Sequence, residues 1–420
     1  MGRSPLRPGS VGNMVSRVDL LVAGAGPAGI AAAITAVERG LDVVVVDTAK
    51  FPRDKTCGDG LTAAALRLFE RLGLPRAALG TATYARVHEA MIVSPSGRRV
   101  ALPIPADGEH AGVITRMDLD AAFVEHARAR GVPVCEGNGV EALARVPLGV
   151  RVTTTRGDEC IARFVIAADG HFSPVRRAWQ PDAGPALGEW HAARQYFSGV
   201  PDRRLWVAFE EDLLPGYAWV FPLPGGRANV GFGVLRDGRK GHELKELWHD
   251  LLQRPLIRDI LGADARPEDR VRAWPIPTRY DPAALADGRV LFAGDAAGVV
   301  DPMTGEGIAQ AVETGMLAAG AVADLCFTAA DPQAVGDRYR RTVARALGSD
   351  LRFASALQRL LARPSAAKSA LRTVDANDWT RRNFARWMFE DYPRAALFTP
   401  RRWHRRMFTR TGAYAADVPG

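Results

Sequence analysis

Apolar residues along this chain form two kinds of run, one continuous and one periodic. Val18 to Gly24 (VDLLVAG) is continuous and β-branched, as a buried strand would be. A glycine turn follows, and then GIAAAITAVERG, whose alanines and periodic apolar positions predict a helix that Gly40 ends. LDVVVVD (41–47) is a second buried strand. Strand, helix and strand in about 30 residues make a βαβ unit, and its right-handed crossover would place the two strands side by side and parallel. The uncharged run from Leu20 to Val37 has the length of a membrane span. It holds Gly24, Gly26, Pro27 and Gly29 at its centre, however, so it reads as strand, turn and helix.

After a loop over 48–60, LTAAALRLFERLG predicts helix and residues 84–115 alternate like β structure. MDLDAAFVEHARARG is helical, and VPVCEG, VRVTTT and ARFVIAADG follow as strands. From 186 to 282 the pattern changes to repeated strand and turn (RLWVAFEE, YAWVFPLPGG, RANVGFGV), with a helix near His242 to Leu252. RVLFAG (289–294) returns to the buried-strand pattern, and the chain beyond Gly305 reads as helix. The expected organisation is a discontinuous nucleotide-binding domain (18–185 and 283–330), a substrate-binding β-sheet domain inserted at 186–282, and a helical basic region at 331–420. Residues 1–17 are basic and rich in Pro and Gly, which predicts a disordered extension; Met14 is an alternative start.

Composition narrows the class. With 420 residues, 47% of them hydrophobic and 24% charged, the chain is long enough for two domains and can bury roughly 75% of its unfolded surface. Cys57, Cys135, Cys160 and Cys326 have neither CxxC nor metal-ligand spacing, which argues against a zinc site and a disulfide scaffold; no metal is expected. No apolar signal segment precedes the first strand, so a cytoplasmic protein is expected. The net charge of +8 is concentrated at one end, where residues 331–420 hold 18 Lys/Arg against 8 Asp/Glu. With Trp379, Phe384, Trp387, Met388 and Trp403 interspersed, that tail suits either a peripheral contact with the inner face of an anionic membrane or arginine-rich helices packed on the main body. Nucleic acid is excluded as a partner, since no binding motif accompanies the charge. Oligomeric state is not encoded in any pattern found.

Three motifs carry chemistry. The first is Gly24-Ala-Gly26-Pro27-Ala28-Gly29 between strand and helix, with Asp47 ending the next strand. The first glycine permits the tight turn, the second lets a pyrophosphate approach the backbone, and the third lets helix and strand pack closely. An acid at Asp47 suits a ribose hydroxyl. The motif implies a bound dinucleotide without separating FAD from NAD. The second is Ala168-Asp169-Gly170 after a strand, and the third is Gly294-Asp295-Ala-Ala-Gly298 followed by Asp301-Pro302-Met-Thr-Gly305-Glu-Gly307-Ile308. An acid after a buried strand can accept hydrogen bonds from a ribityl chain, and a glycine-rich helix start can aim N–H groups at a ring edge that becomes negative on reduction. Either could also be an ordinary strand-end turn.

Together and in this order, the three motifs resemble the class A flavoprotein hydroxylase and reductase superfamily over about residues 18–325. The resemblance implies a glutathione-reductase-like FAD-binding Rossmann domain of α/β class, with an inserted α+β substrate domain and a helical C-terminus. It assigns Arg116, which opens a helix in ITRMDLDAAF, to the flavin, and the backbone of Val140 to the adenine. Two further strings, Phe51-Pro-Arg-Asp-Lys55-Thr-Cys57-Gly58-Asp-Gly60 and Tyr217-Ala-Trp219-Val-Phe221-Pro222 with the later Asn229-Val-Gly231, resemble the geranylgeranyl reductase family. That implies reduction of isolated C=C bonds in isoprenoid chains, such as a menaquinone side chain, a geranylgeranyl or polyprenyl lipid, or a terpenoid. The Lys55–Cys57–Gly58 loop would lie against the flavin and the Tyr217–Trp219 strand would line the substrate cavity. Cys57 could equally be a small buried residue, and the aromatics could be core.

An unconjugated alkene accepts hydride poorly, so protonation of one carbon must accompany hydride delivery to the other. Cys57 and Tyr217, or a water they hold, are the candidate proton donors, with Trp219 as pocket wall. No second GxGxxG is present, so electrons must arrive from NAD(P)H acting transiently or from a reduced, ferredoxin-like carrier protein. A monooxygenase or halogenase of the same superfamily is the alternative, although halogenases carry WxWxIP where this chain has YAWVFP. A flavoprotein that binds lipid without turnover is a third reading.

Overall fold

The computed structural model describes residues 16–181, 188–236, 241–328, 331–389, 395 and 411–416. Expectations that fall elsewhere, for residues 1–15 and for Trp403, lie outside the described residues. The first strand already begins at Ser16, so the two last residues of the expected extension are sheet.

Four buried runs form a parallel sheet in the order Val43–Asp47, Ser16–Ala23, Glu159–Ala167, Val290–Phe292, and Val134–Glu136 adds a parallel edge beyond Val43–Asp47. Such strands are covered on both faces, which explains why they read as continuous rather than alternating apolar runs. The helices Pro27–Glu38 and Ile308–Leu325 pack on one another beside this sheet. An antiparallel meander, Val140–Val146 and Gly149–Thr154, leads into Glu159–Ala167.

A second, mainly antiparallel sheet runs Arg266–Pro267, Trp190–Ser198, Arg227–Leu235, Tyr217–Leu223, Leu205–Ala208, Glu89–Val93, Arg99–Pro103; Arg272–Ile276 also pairs with Trp190–Ser198. The hairpin 89–103 thus belongs to this sheet through a parallel pairing with Leu205–Ala208, and the expected boundary at 186 cuts across it. Alternation marks 84–115 as strands but says nothing of which sheet each joins. A three-stranded sheet of Gly60–Thr62, Ala111–Ile114 and Tyr84–Arg86 completes the β structure. Period-two alternation sorts the faces of Tyr217–Leu223. Ala218 and Val220 join a core under the helices Gly241–Gln253 and Pro255–Leu261, where Trp248 stacks on Phe232 at 6.3 Å. Tyr217, Trp219 and Phe221 face the other way, into the cavity described below.

Beyond the helix Gln333–Val343 come three helices, Ser349–Leu361, Pro364–Val374 and Asp378–Met388, of which the last two lie over the second sheet and the first packs on Pro364–Val374. Leu371, Val374, Ala385 and Phe389 share a core cluster with Ile92, Val100 and Leu102. Pro364 starts one helix and an Asn377–Thr380 capping box the next. Ion pairs from Arg98 and Arg381 to Asp375 (2.7 and 2.8 Å) pin them. Among the described residues no helix is long and apolar enough to cross a membrane.

Candidate active site

The glycine turn sits where the first strand meets the first helix. Asp47, ending the neighbouring strand, accepts the Ala25 N–H at 2.7 Å through Oδ2 and the Ala49 N–H at 2.7 Å through Oδ1, so its carboxylate also holds the turn. Gly24, Gly26, Pro27, Ala28, Asp47 and Val140 line one end of a single cavity of about 1240 Å³. Gly29 does not reach its wall. A Cβ there would stand 1.8 Å from the Gly24 carbonyl oxygen, which is the close packing the third glycine of the motif permits.

A pair of guanidinium groups faces the same turn. Arg116, the first residue of the helix Arg116–Ala129, grips Asp120 one turn on with two bonds of 2.9 and 2.8 Å, and Arg53 joins the same carboxylate at 2.9 Å. A Cβ on Gly26 would meet Arg53 Nη2 at 3.7 Å and Arg116 Nη2 at 3.9 Å. Burial alone would drain charge from Arg116, but Asp120 outweighs it and holds the guanidinium firmly protonated. Two cations sharing one acid, opposite a helix N-terminus, leave the net positive charge that a diphosphate needs. Sequence reasoning missed Arg53. Its only signal is its place in FPRDK, two residues ahead of Lys55.

Further in, Lys55 pairs with Asp295 at 2.9 Å. Burial pushes the Asp295 carboxyl up, and Lys55 first, then Arg116 and His171, more than reverse this, leaving it below the usual range. Asp169 takes the Val175 N–H at 2.9 Å on Oδ2, while its buried Oδ1 has no hydrogen-bond partner among the described residues. Burial raises its carboxyl to about 6 against the pull of Ser173 and the Val175 N–H. Gly305, Gly307 and Ile308 line the cavity and start the helix Ile308–Leu325. Pro302 does not reach the wall; it is buried in a turn that Asp301 folds by accepting Met303 N–H, Thr304 N–H and the Thr304 hydroxyl at 2.8–2.9 Å.

Cys57 and Gly58 lie where the cavity turns apolar. Burial, followed by the nearby Asp59 charge, raises the Cys57 thiol to about 11, so it stays protonated in neutral water. Trp219 donates its indole N–H to Asn229 Oδ1 at 2.9 Å, and Asn229 Nδ2 donates to the Cys57 carbonyl and to Asp59, each at 2.8 Å. The Tyr217 hydroxyl donates to the Thr304 carbonyl, tying the aromatic strand to the glycine-rich loop. Past these groups the wall is Phe221, Phe353, Leu357, Leu361, Leu371, Val374, Phe384, Trp387 and Met388. The last three recur at helical spacing on one face of Asp378–Met388, a pattern visible in the sequence but without an address. Among the described residues no cluster of His, Cys, Asp or Glu could hold a metal ion.

Residues 17–342 match the model of the FAD binding domain family. The menaquinone reductase of Mycobacterium tuberculosis is 35% identical over 366 residues, 80% of this chain and 84% of that protein. A digeranylgeranylglycerophospholipid reductase of Methanoculleus marisnigri is 31% identical over 76% of this chain and 79% of that protein. The chain belongs to the geranylgeranyl reductase family of FAD-dependent oxidoreductases. In fold, it is similar to a geranylgeranyl bacteriochlorophyll reductase-like protein from Thermoplasma acidophilum, with TM-score 0.79 and 21% identity over 93% of this chain and all of that one.

For a member of this reductase family the residues present fit FAD. The Gly26 turn leaves open space below two guanidinium groups, and Asp169 Oδ1 is a buried acceptor lacking a donor, as a site for a polyhydroxylated chain would hold. Val140 and the Lys55–Asp295 pair line the same cavity as the glycine turn and the apolar chamber.

Proposed function

We propose that this FAD-dependent oxidoreductase saturates isolated C=C bonds of an isoprenoid chain, with the menaquinone side chain as the first candidate. The observation that carries the reading is continuity: the cavity that begins at the dinucleotide turn runs on, past Cys57, into a chamber walled mainly by apolar and aromatic side chains, with Gln358, Thr373, Thr380 and Asn383 among them. An uncharged chain gains about 0.8 kcal/mol for each methylene removed from water into such a chamber. FAD, when bound and reduced, supplies hydride there. Tyr217, Trp219 and Phe221, their neighbouring rings 6.0 Å apart and inclined at 60° and 33°, present an aromatic wall along which a prenyl unit can be held, and their strand is fixed to the cofactor side through Thr304 and Asn229. The chamber keeps water from the reacting carbons, and the protonated Cys57 thiol at its entrance is the nearest sulfur acid.

Within this reading the cofactor is held by Gly24 to Ala28, Asp47, Lys55, Gly58, Arg116, Val140, Asp169, Asp295 and Gly305 to Ile308, with Arg53 added to the set. Electrons come from NAD(P)H or a reduced carrier protein reaching the same cavity. The helices 349–388 form the chamber's roof, and they carry Leu360 and Trp379, 52% and 68% exposed, the latter also on the cavity wall. That supports a peripheral seat on an anionic membrane through which a lipid enters. The test is mass spectrometry of host quinones and isoprenoid lipids after gene deletion. Accumulation of a more unsaturated isoprenoid, reversed by the intact gene, supports the proposal, and an unchanged isoprenoid pool refutes it.

A further inference from the structure

The proton is the unassigned half of this reaction, and an acid in the Cys57 loop has the surroundings to keep it. Asp59 is fully buried, yet it sits on the cavity wall beside Cys57 and Gly58. Its backbone adopts φ 65°, left-handed territory that a non-glycine residue seldom occupies, and the side chain is turned inward by that conformation. Three donors meet the carboxylate: the Tyr196 hydroxyl at 2.6 Å and Asn229 Nδ2 at 2.8 Å on Oδ2, and the Arg116 N–H at 3.2 Å on Oδ1. The Asn229 amide cannot turn to offer its oxygen, because that oxygen already accepts the Trp219 indole N–H. The nearest cation on the Tyr196 strand, Arg194, is engaged by Asp54 and Asp269 at 2.7 Å and lies over the Tyr196 ring at 4.1 Å, and among the described residues Asp59 has no ion pair of its own. Burial without a counter-ion favours the protonated carboxyl and the three dipolar donors favour the anion, so the group is poised to give up and regain a proton.

We propose that Asp59 stores the proton consumed by alkene reduction, with Tyr196, Asn229 and the Arg116 N–H as the cradle that receives its carboxylate. This rests on the reductase reading above. In the step, the Asp59 O–H bond breaks and its proton forms a C–H bond at one alkene carbon, passed through the cavity that Asp59 and Cys57 both line. The other carbon takes the hydride, and the carboxylate regains a proton from solvent afterwards. The neighbours agree with the assignment. Burial, offset by Tyr196, Asn229, Arg194 and Arg116, raises the Asp59 carboxyl to about 6, while the Cys57 thiol at about 11 and the still less acidic Tyr196 hold their protons throughout the neutral range. The charged and titratable groups facing this cluster are Arg194 and Tyr196 from the strand 190–198, Arg116 from its helix, Cys57 and Asp54 from the loop, and Glu306.

The experiment compares D59N and Y196F with wild type as FAD-loaded proteins, by infrared difference spectroscopy between pH 5 and 8 and by pH profiles of kcat and KM. Asn tolerates the left-handed backbone, so D59N should fold. Expected for D59N are unchanged FAD content and KM, a kcat lower by about 100-fold or more, and loss of a carboxylic acid band that titrates near pH 6 in wild type. Y196F keeps the acid but loses a donor to its anion, so both the band and the alkaline limb of kcat should move to higher pH. A D59N variant with wild-type kcat and pH profile, or an unchanged acid band in both variants, overturns the inference. If wild type itself reduces no alkene, the proposed function fails, and the infrared titration still decides whether Asp59 is the exchangeable acid.

Discussion

Asp169 Oδ1, buried and without a donor among the described residues, makes a prediction about binding. Its carboxyl, raised to about 6 by burial, should fall when ribityl hydroxyl groups supply donors to the anion. An acid whose bound form is the more acidic binds its ligand better at high pH, so FAD affinity should weaken as pH drops from 7 through 6 to 5. Fluorescence titration should show this slope in wild type and a flat profile in D169N. Gly231 gives a second prediction. It stands opposite Trp219 across the strand pair, and a Cβ there would lie 2.3 Å from the indole ring. The same Cβ would stand 2.5 Å from the Ala193 carbonyl oxygen, so G231A should displace Trp219 from the chamber wall and strain the pairing with the strand 190–198, lowering both kcat/KM, by about tenfold or more, and the stability to urea. At this scale the sequence discloses residues whose type is forced by a turn or a close approach. Gly24, Asp47 and Cys57 stand out because motif and spacing single them out. Arg53 and Tyr196 do not, since an arginine among 50 and one tyrosine on an alternating strand have no mark until distant segments meet.

Arg194 carries the argument at the level of elements. Its guanidinium, buried on the strand 190–198, bridges Asp54 of the Cys57 loop to Asp269 ahead of the strand Arg272–Ile276. Removing it leaves two partly buried carboxylates facing each other with only Arg272 between them, a more exposed cation 3.2 Å from Asp54 and 3.9 Å from Asp269. R194M should cost about 3 kcal/mol in urea unfolding and should loosen the Cys57 loop with it; a loss below about 1 kcal/mol would show that the bridge contributes only as a surface pair does. Elements are where pattern reading works best. The continuous runs at 18–24 and 41–47, the alanine-rich helix between them, and the helix near 242–252 all follow from local periodicity. Sheet membership does not, because the 89–103 hairpin joins Leu205–Ala208 through a pairing more than a hundred residues distant in sequence. Nor does periodicity reveal that the helices 349–388 roof a cavity rather than lie on a solid core.

Across the whole molecule, segments from the glycine turn to Phe389 enclose one cavity, polar at the dinucleotide end and apolar at the other. If its roof meets a membrane through Leu360 and Trp379, co-sedimentation with anionic vesicles should be strong at low salt, weaken as salt screens the basic helices, and drop about tenfold or more in a variant carrying L360S and W379S. The same result from neutral vesicles would assign the contact to apolar insertion alone. The central claim is the continuity of that cavity, in which a flavin and an isoprenoid meet. Its most direct test is an anaerobic single turnover: FAD-loaded protein, reduced with dithionite and freed of excess reductant, is mixed with menaquinone and the lipid analysed by mass spectrometry. The account predicts, after any quinol has been reoxidised to quinone, a product heavier by H2 with the added hydrogens in its side chain, formed without oxygen as the flavin absorbance returns. A flavin that reoxidises only when oxygen is admitted, with a product that gains an oxygen atom or with menaquinone unchanged, would contradict it.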